Sequence, residues 1–403
     1  MNSPLRQHLI DPEMCIRCGT CEETCPIGAV SHNDDNYVVD AEICELCVNC
    51  ILPCPTGSID HWRIVKTAYS LEEQFSWDEL PEQAEASTDD KDAFEALDED
   101  VVALLKTAHS AVDGGAIAPD SAATPSVNLY TIAKPAIAKV AGNMPITDAG
   151  MESDIRHIVL DFENTAFPVL EGQSIGIIPP GTDERGKPHR LRLYSISSPR
   201  DGERPNFNNL ALTVKRHITE VDGEVYNGVA SNYLCDLERG AEVTVTGPYG
   251  STFLMPNDPD ANIIMICTGT GSAPFRAFTE RRRRAQPNAS GKMIMFFGAR
   301  RPEELPYFGP LKKVPTKVLE AELVFSRLDG EEKEYVQDRM RQKSDVILEL
   351  IESDATHIYI CGLKEMESGV GEALNDICRR GGDDWETRRK AMLETGRYHV
   401  ETY

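Results

Sequence analysis

Between residues 126 and 256 the apolar residues come in short runs, and turns rich in glycine and proline separate them. EGQSIGIIPPG (171–181) is an apolar run followed by a turn, and ALTVKRH (211–217) is a second run of similar kind. Between them, RLRLYSISSPR (190–200) alternates basic, apolar and hydroxyl residues. Short strands with this spacing predict an antiparallel β-barrel.

The apolar runs become continuous from residue 257 to residue 403. ANIIMICTGTGSAPFRAF (261–278) begins as an apolar strand, passes through a glycine turn and continues as a helix. KMIMFFGAR (292–300), ELVFSR (322–327) and HIYICGL (357–363) are further buried strands, and helical stretches separate them. This alternation predicts a doubly wound, Rossmann-like α/β domain.

The first 65 residues contain two cysteine runs, CIRCGTCEETCP and CELCVNCILPCP, that repeat after 29 positions. The spacing C-x₂-C-x₂-C-x₃-C-P is the ligand run of bacterial two-cluster ferredoxins, and residues 8–65 resemble those proteins. In this pattern three cysteines of one run and the fourth of the other bind one [4Fe–4S] cluster. A pair of zinc sites is the alternative, but zinc does not require four cysteines followed by proline. The predicted ligands are Cys15, Cys18, Cys21 and Cys54 for one cluster and Cys44, Cys47, Cys50 and Cys25 for the other.

The chain is acidic, with 66 Asp and Glu against 41 Lys and Arg, a net charge of −25. Such a charge repels nucleic acid and anionic membranes, so we expect neither as a partner. No apolar run reaches the roughly 18 residues that a membrane helix needs, and the first residues have no signal-peptide core. We therefore expect a soluble, cytoplasmic protein.

Residues 66–125 are predicted to form an acidic linker between the ferredoxin domain (1–65) and the barrel (126–256). Residues 71–100 alone contain 13 Asp and Glu and one Lys. The stretch 92–112 has the apolar pattern of a helix. A solvated spacer and a docking segment are both consistent with this composition.

Residues 126–403 resemble the plant-type ferredoxin–NADP⁺ reductase family along nearly their whole length, on the motifs RLYS and GVASN. The resemblance implies an FAD whose pyrophosphate lies on Arg192 and whose ring lies against Tyr194, with the Ser195 hydroxyl at its N5. Ser231, at the start of a helix, would also bind the pyrophosphate. The candidate cofactor contacts of the barrel are Arg192, Leu193, Tyr194, Ser195, Lys215, Gly228, Val229 and Ser231.

Two positions depart from the family pattern. Ala230 stands where the family commonly has a cysteine, and Thr219 stands where an aromatic ring often covers the adenine. The second departure leaves the adenine less well held, although FAD remains favoured over FMN.

The segment SRLDGEEKEYVQDRM (326–340) resembles the family's pocket for a 2′-phosphate. An NAD site would instead place a carboxylate on the ribose, so the cofactor is predicted to be NADPH. An exposed charged loop is the alternative interpretation. The implied nucleotide contacts are Thr270 and Gly271 at the glycine turn, and Ser326, Arg327, Lys333 and Tyr335 at the 2′-phosphate.

The resemblance also implies four catalytic positions, Ser195, Cys361, Glu401 and Tyr403. Cys361 would lie against the nicotinamide, and Tyr403, the last residue, would stack on the isoalloxazine until NADPH displaces it. Glu401 would lie near Ser195 and Cys361 and handle protons as the flavin changes redox state. The remaining cysteines, Cys235, Cys267 and Cys378, are expected to pack in the core.

Taken together, the three segments predict an NADPH oxidoreductase in which a flavin links a two-electron donor to one-electron clusters. Their order resembles the reductase components of benzoyl-CoA oxygenases. This implies a separate di-iron oxygenase as electron acceptor, in aerobic benzoate degradation. A ferredoxin–NADP⁺ reductase working in the reverse direction and a non-enzymatic iron–sulfur redox sensor are the alternatives, and whether the chain forms a homodimer is open.

Overall fold

The computed structural model describes residues 5–10, 12, 20–23, 25–33, 36–44, 50, 59, 62–65, 67–77, 80–81, 117–148, 150–183, 186–205, 207–221 and 224–402. The predicted helix at 92–112 lies outside these ranges. So do Cys15, Cys18, Cys47, Cys54 and Tyr403. Among the described residues, no helix combines the length and the apolar character that crossing a bilayer requires.

The N-terminal region contains two small antiparallel sheets. One pairs β1 with β4, and the other pairs β2 with β3. The buried Gln74 side chain joins a helix to the second sheet, because it both accepts from the Val39 amide (3.1 Å) and donates to the Val39 carbonyl (3.0 Å). The elements are β1 (Leu5–His8), α1 (Thr20–Glu23), β2 (Val30–His32), β3 (Tyr37–Val39), β4 (Trp62–Val65) and α2 (Leu71–Phe75).

The second region is a six-stranded antiparallel sheet with the strand order β8-β7-β12-β5-β6-β9. An isolated bridge between Ile196 and Leu212 connects the two edge strands, so the sheet closes into the predicted barrel. The elements are β5 (Ala136–Pro145), β6 (Ile155–Asp161), β7 (Ser174–Ile178), β8 (Arg192–Ser195), β9 (Asn209–Lys215), the hairpin β10 (Ile218–Val221) and β11 (Glu224–Asn227), α3 (Val229–Asp236) and β12 (Glu242–Tyr249).

The third region is a parallel sheet of five strands in the order β15-β14-β13-β16-β17, with helices on both faces. Strands β13, β14 and β16 are almost entirely buried, as their continuous apolar runs predict. The predicted fold class is therefore confirmed. The elements are β13 (Asn262–Thr268), α4 (Ser272–Ala285), β14 (Met293–Ala299), α5 (Phe308–Leu311), β15 (Glu320–Phe325), α6 (Val336–Gln342), α7 (Ser344–Ile351), β16 (Thr356–Gly362), α8 (Lys364–Arg380), α9 (Trp385–Glu394) and β17 (Tyr398–Thr402), with 3₁₀ turns at Gly269–Gly271 and Pro302–Glu304.

A buried polar cluster joins the barrel to the α/β domain. The hydroxyl of Tyr307, from the α/β domain, lies 2.9 Å from His157 Nδ1 and 2.6 Å from Thr213 Oγ1, both on barrel strands. Arg276 of α4 donates two hydrogen bonds, of 2.7 and 2.8 Å, to the Glu203 carboxylate of the barrel. Because these groups are directional and shielded from water, they fix the orientation of one domain against the other.

The last residues of the predicted linker lie against the α/β domain. The Ser121 carbonyl accepts from the Asn257 amide (3.3 Å), and the Ser121 hydroxyl oxygen accepts from the Asp258 amide (3.2 Å). A Cβ on Gly396 would approach the Ala118 carbonyl oxygen to 2.4 Å, so glycine is required for this close packing. The segment around Ala118 therefore packs against the α/β domain at the turn that precedes β17, before the chain continues into the barrel.

A buried ion pair lies where the chain passes from the barrel into the α/β domain. Glu171 is completely buried and accepts from Arg200 Nη2 (2.8 Å) and from the Arg200 backbone amide (2.7 Å). The same guanidinium donates to Asn257 Oδ1 (3.2 Å). These bonds connect the turn before β7, the turn that begins at residue 200 and the start of the α/β domain.

We expect Glu171→Ala to lower the free energy of unfolding by about 3–5 kcal/mol, because it leaves the Arg200 guanidinium buried without its counter-charge. Urea unfolding followed by circular dichroism measures this change. The matched control is Lys139→Ala, which breaks an exposed ion pair with Glu163 and should cost less than about 1 kcal/mol. Equal losses in the two variants would contradict a structural role for the buried pair.

Candidate functional site

A cavity opens between β8 and the first turn of α3. Five of the predicted flavin contacts line it together, although they come from separate parts of the sequence. Basic side chains of the segment before β8 and the start of a helix form its walls, an arrangement that favours a pyrophosphate. The lining residues include the predicted Arg192, Tyr194, Gly228, Val229 and Ser231, and also Asp183, Lys187, His189, Arg190, His217 and Ala230.

The floor of this flavin cavity requires a glycine. A Cβ added to Gly228 would lie 2.8 Å from Ser231 Oγ and 3.0 Å from His217 Cβ. The Ser231 hydroxyl oxygen accepts from the His217 amide (3.1 Å), which fixes it beside the helix start. A tight backbone with a hydroxyl and helix amides at its edge is what a phosphate group needs to approach closely, so the residues present fit the pyrophosphate of FAD.

Three of the predicted barrel contacts are placed differently from the others. The Leu193 side chain packs against Leu191 and Tyr249, and does not line the flavin cavity. Ser195 ends β8, where it pairs with Ser174. Lys215 lines a second cavity, on the side of the α/β domain. Leu193 and Ser195 lie on β8 and Lys215 lies on β9, and none of the three lines the flavin cavity.

The second cavity is a cleft between the barrel and the carboxyl ends of the parallel strands. Side chains of both domains line it, so the cleft depends on the polar cluster that joins them. It brings together the predicted residues Lys215, Thr270, Ser326 and Tyr335. In α/β sheets, ligands bind at this end of the strands.

Three features of the cleft fit a phosphorylated nucleotide. A Cβ added to Gly271 would lie 2.1 Å from the Cys361 carbonyl oxygen, so the glycine turn lies directly on β16. The Thr268 hydroxyl oxygen is buried and has no hydrogen-bond partner within the described part of the chain. Partial burial and the neighbouring Arg300 charge both lower the pKa of Lys215, which an anion would offset.

The predicted 2′-phosphate residues are only partly brought together. Ser326 and Tyr335 line the cleft, whereas Lys333 is exposed on the turn before Tyr335. Arg327 forms an ion pair of 3.4 Å with Glu152, which also pairs with Arg300. Glu152 comes from a loop of the barrel, and only the folded structure shows that it faces these two arginines.

Cys361 and Glu401 lie side by side on adjacent strands. They are register partners in the parallel pairing of β16 with β17. Burial, and secondarily the nearby Glu401 charge, raise the pKa of the Cys361 thiol well above its ordinary value. Loss of hydration also raises the pKa of Glu401 to about 8. Both shifts favour the neutral form of the group near pH 7, so a protonated carboxyl group lies beside a protonated thiol.

Three of the four described cysteines of the N-terminal region share one small cavity, and Cys21 does not line it. Cys25 from the first run lines it together with Cys44 and Cys50 from the second run, and His8 lies in the same wall. Cys25 Sγ accepts a hydrogen bond from the Ala29 amide (3.2 Å). This is the grouping that crossed ligation predicts, and amide–sulfur bonds are typical around cluster ligands. Within the described ranges, no three Cys, His, Asp or Glu side chains are close enough to hold a metal ion as placed.

The other cysteines outside the two runs are in the core, as predicted. Cys235, Cys267 and Cys378 are at most 2% exposed and lie in the apolar clusters of the barrel and of the α/β domain. Burial raises the pKa of each of these thiols, which keeps them protonated and unreactive.

Comparisons with known proteins show which families the chain is similar to. Residues 265–372 match the oxidoreductase NAD-binding domain family, and residues 8–31 match the 4Fe-4S binding domain family. The chain is 41% identical to the cyanelle ferredoxin–NADP reductase of Cyanophora paradoxa, over 69% of this chain and 79% of that one. It is 40% identical to the ferredoxin–NADP reductase of Spirulina sp, over 69% and 98%. The ferredoxin–NADP⁺ reductase structure from Plasmodium falciparum superposes with a TM-score of 0.56 at 27% identity, over 68% of this chain and 99% of that one.

Replacing Glu401 by glutamine should flatten the pH dependence of stability. The native carboxyl group keeps its proton up to about pH 8, from an ordinary pKa of 4.5. Between these values the unfolded chain binds fewer protons, so the wild-type free energy of unfolding falls as pH rises, by at most about 1.4 kcal/mol per pH unit.

Urea unfolding at pH 5, 6.5 and 8 measures this effect. The advantage of Glu401→Gln over wild type should grow with pH, whereas Glu349→Gln, at a side chain 68% exposed, should not change the slope. Parallel curves for Glu401→Gln and wild type would show that Glu401 is already ionised at neutral pH in the native protein.

Proposed function

The chain belongs to the ferredoxin–NADP reductase family, and from that membership we propose that it passes electrons from NADPH, through FAD and two [4Fe–4S] clusters, to a separate oxygenase. The family establishes the NADPH oxidoreductase activity and the binding of FAD and NADP. The 4Fe-4S domain adds an iron–sulfur centre to that activity. The number of clusters, the acceptor and the domain boundaries 1–65, 66–125, 126–256 and 257–403 are part of the proposal.

The observation that supports this relay best is the cavity that Cys25 shares with Cys44 and Cys50. It joins the two cysteine runs, which are distant in sequence. Crossed ligation of this kind holds two clusters near each other. A single cluster built from one run would not need Cys25 beside the second run.

Bound FAD would accept two electrons as hydride and release them one at a time. The residues of the chain would bind and orient the two cofactors through their positions and charges. Arg192 and Ser231 would hold the pyrophosphate, and Tyr194 would support the ring. Ser326, Arg327 and Tyr335 would bind the 2′-phosphate of NADPH, and the Arg327–Glu152 pair would open to admit it.

Proton handling is assigned to Glu401. Its carboxyl group is protonated at neutral pH, so it can donate a proton at its own oxygen and recover one from solvent. Cys361, beside it, presents a neutral thiol to the nicotinamide and does not act as a base. Two further roles belong to the proposal: the Ser195 hydroxyl would contact flavin N5, and Tyr403 would stack on the isoalloxazine. Tyr403 lies outside the described residues.

The proposed acceptor is the di-iron oxygenase component that epoxidises benzoyl-CoA in aerobic benzoate degradation. The support is the order of the segments, since a ferredoxin-type module already precedes the reductase in the same chain. A chain with its own one-electron module needs no separate ferredoxin. The cluster potentials decide whether the protein oxidises NADPH or reduces NADP⁺, and such potentials span a wide range in proteins of this kind.

The cysteine variants test the relay. We expect anaerobically purified wild type to contain about eight iron and eight sulfide per FAD. Cys25→Ser and Cys50→Ser should lower the iron content and abolish NADPH-dependent cytochrome c reduction. Direct reduction of ferricyanide by the flavin should persist in both. The control Cys378→Ala, in the core of the α/β domain, should keep its iron content and both activities. A full iron content in Cys25→Ser would rule out crossed ligation.

A coupling assay tests the acceptor. The NADPH-reduced protein is mixed with a candidate di-iron oxygenase under oxygen, with and without benzoyl-CoA. We expect benzoyl-CoA to increase NADPH consumption severalfold and to be oxygenated in proportion. Acetyl-CoA is the control for coenzyme A binding alone. NADP⁺ reduction by a low-potential donor, with no response to benzoyl-CoA, would instead indicate the reverse enzyme.

A further inference from the structure

We propose that the imidazole of His217 holds the adenine of FAD. This inference rests on the FAD site of the proposed function and assigns a residue that the sequence motifs do not contain. The aromatic ring that often covers the adenine is absent here, because Thr219 occupies its position. His217, two residues earlier, lines the flavin cavity together with Arg192, Gly228 and Ser231.

The backbone of His217 is fixed to the start of α3 at three points. Its amide donates to Ser231 Oγ (3.1 Å), and its carbonyl oxygen accepts from the Gly228 amide (2.9 Å) and from Asn232 Nδ2 (2.9 Å). The residue therefore cannot move independently of the helix start that would bind the pyrophosphate. Its ring lies directly beside Gly228, where a Cβ would be 3.4 Å from His217 Cδ2.

Thr219 orients the His217 ring. The Thr219 hydroxyl lies 2.9 Å from His217 Nε2, within hydrogen-bonding distance. The ring is thus held in one orientation although the side chain is exposed. An exposed ring that is already oriented loses little conformational freedom when a base stacks on it. The threonine that replaces the usual aromatic residue positions a different ring.

The lining of the flavin cavity supports the same residue. His217 lines it together with Tyr194, which would support the isoalloxazine, and with Arg192 and Ser231, which would hold the pyrophosphate. Because His217 lies against Ser231 and Gly228, its ring would be available to the adenine of a bound FAD. Aromatic faces bind bases by stacking, with little preference for hydrogen-bond pattern.

Two other rings near the cavity are less suitable. His189 also lines it, but its ring lies beside Gly181, on the connection between β7 and β8, where a Cβ would be 3.7 Å from His189 Nε2. Tyr226, opposite Thr219 in the β10–β11 hairpin, is 53% exposed and does not line the cavity. Tyr226 therefore serves as the matched control.

The test measures flavin affinity in the full-length chain. Flavin-depleted protein is titrated with FAD and with FMN, and flavin fluorescence reports binding. We expect His217→Ala to weaken FAD binding roughly tenfold, the typical effect of removing one base–aromatic stack. FMN binding should change less than about twofold because FMN has no adenine. His217→Phe should restore FAD affinity, while Tyr226→Ala should match wild type; His189→Ala, at a second ring of the cavity wall, is measured alongside.

Each other result has a defined meaning. Wild-type FAD affinity in His217→Ala overturns the inference, and so does an equal loss for FAD and FMN, which would indicate a distorted pyrophosphate site. A selective loss in His189→Ala alone assigns the adenine to that ring. If His217→Ala does not fold, Thr219→Val keeps the ring and removes its hydrogen bond, with an expected loss of about threefold for FAD only. Wild type that binds no FAD contradicts the proposed function itself, which separates the two failures.

Discussion

The arrangement of the reductase half depends on one buried polar junction, formed by Arg276 and Tyr307 of the α/β domain with Glu203, His157 and Thr213 of the barrel. Burial alone would raise the pKa of Glu203, but hydrogen bonds from His157 and Arg276 lower it to about 2, so this carboxylate stays charged. A charged, fully bonded junction allows few relative orientations of the domains. The nucleotide cleft, which both domains line, exists only in the orientation that this junction selects.

The three candidate cofactor sites are built from different kinds of group. The flavin cavity is built from backbone, with a glycine, a helix start and one hydroxyl around a phosphate position, and side-chain cations in its wall. The nucleotide cleft is built between domains, so its dimensions follow from their contact. Within its described residues, the candidate iron–sulfur region has a small apolar cluster and brings together cysteines from two repeats. A small domain of this kind obtains much of its stability from the groups it binds.

Sequence patterns predicted the fold well because the apolar periodicity of each strand is local. The barrel and the α/β domain follow from short and continuous runs, and Arg192, Tyr194 and Ser231 follow from compact motifs. Residues that depend on long-range pairing were missed, since neither Glu152 nor His217 belongs to a motif. For His217 the sequence did contain a signal, because this aromatic residue lies two positions before Thr219, which replaces the usual aromatic residue.

Some predicted contacts were placed elsewhere for the same reason. Lys215 ends β9 and faces the cleft between the domains, whereas its motif neighbours face the flavin cavity. Leu193 alternates with Arg192 along a strand and so packs on the opposite face. Lys333 remains exposed on its turn. In each case the strand or loop geometry, which a motif does not contain, decides where the side chain lies.

The close packing of Ala118 on Gly396 has a consequence for kinetics. The chain reaches the α/β domain at the amino end of β17, and Glu401 lies near the carboxyl end of the same short strand, roughly 15 Å away at about 3.3 Å per residue. The segment that links the ferredoxin domain to the reductase half is therefore held, at Ala118, close to Glu401 of the candidate site. Encounters between the two are unimolecular, with an effective concentration that dilution of the protein does not change.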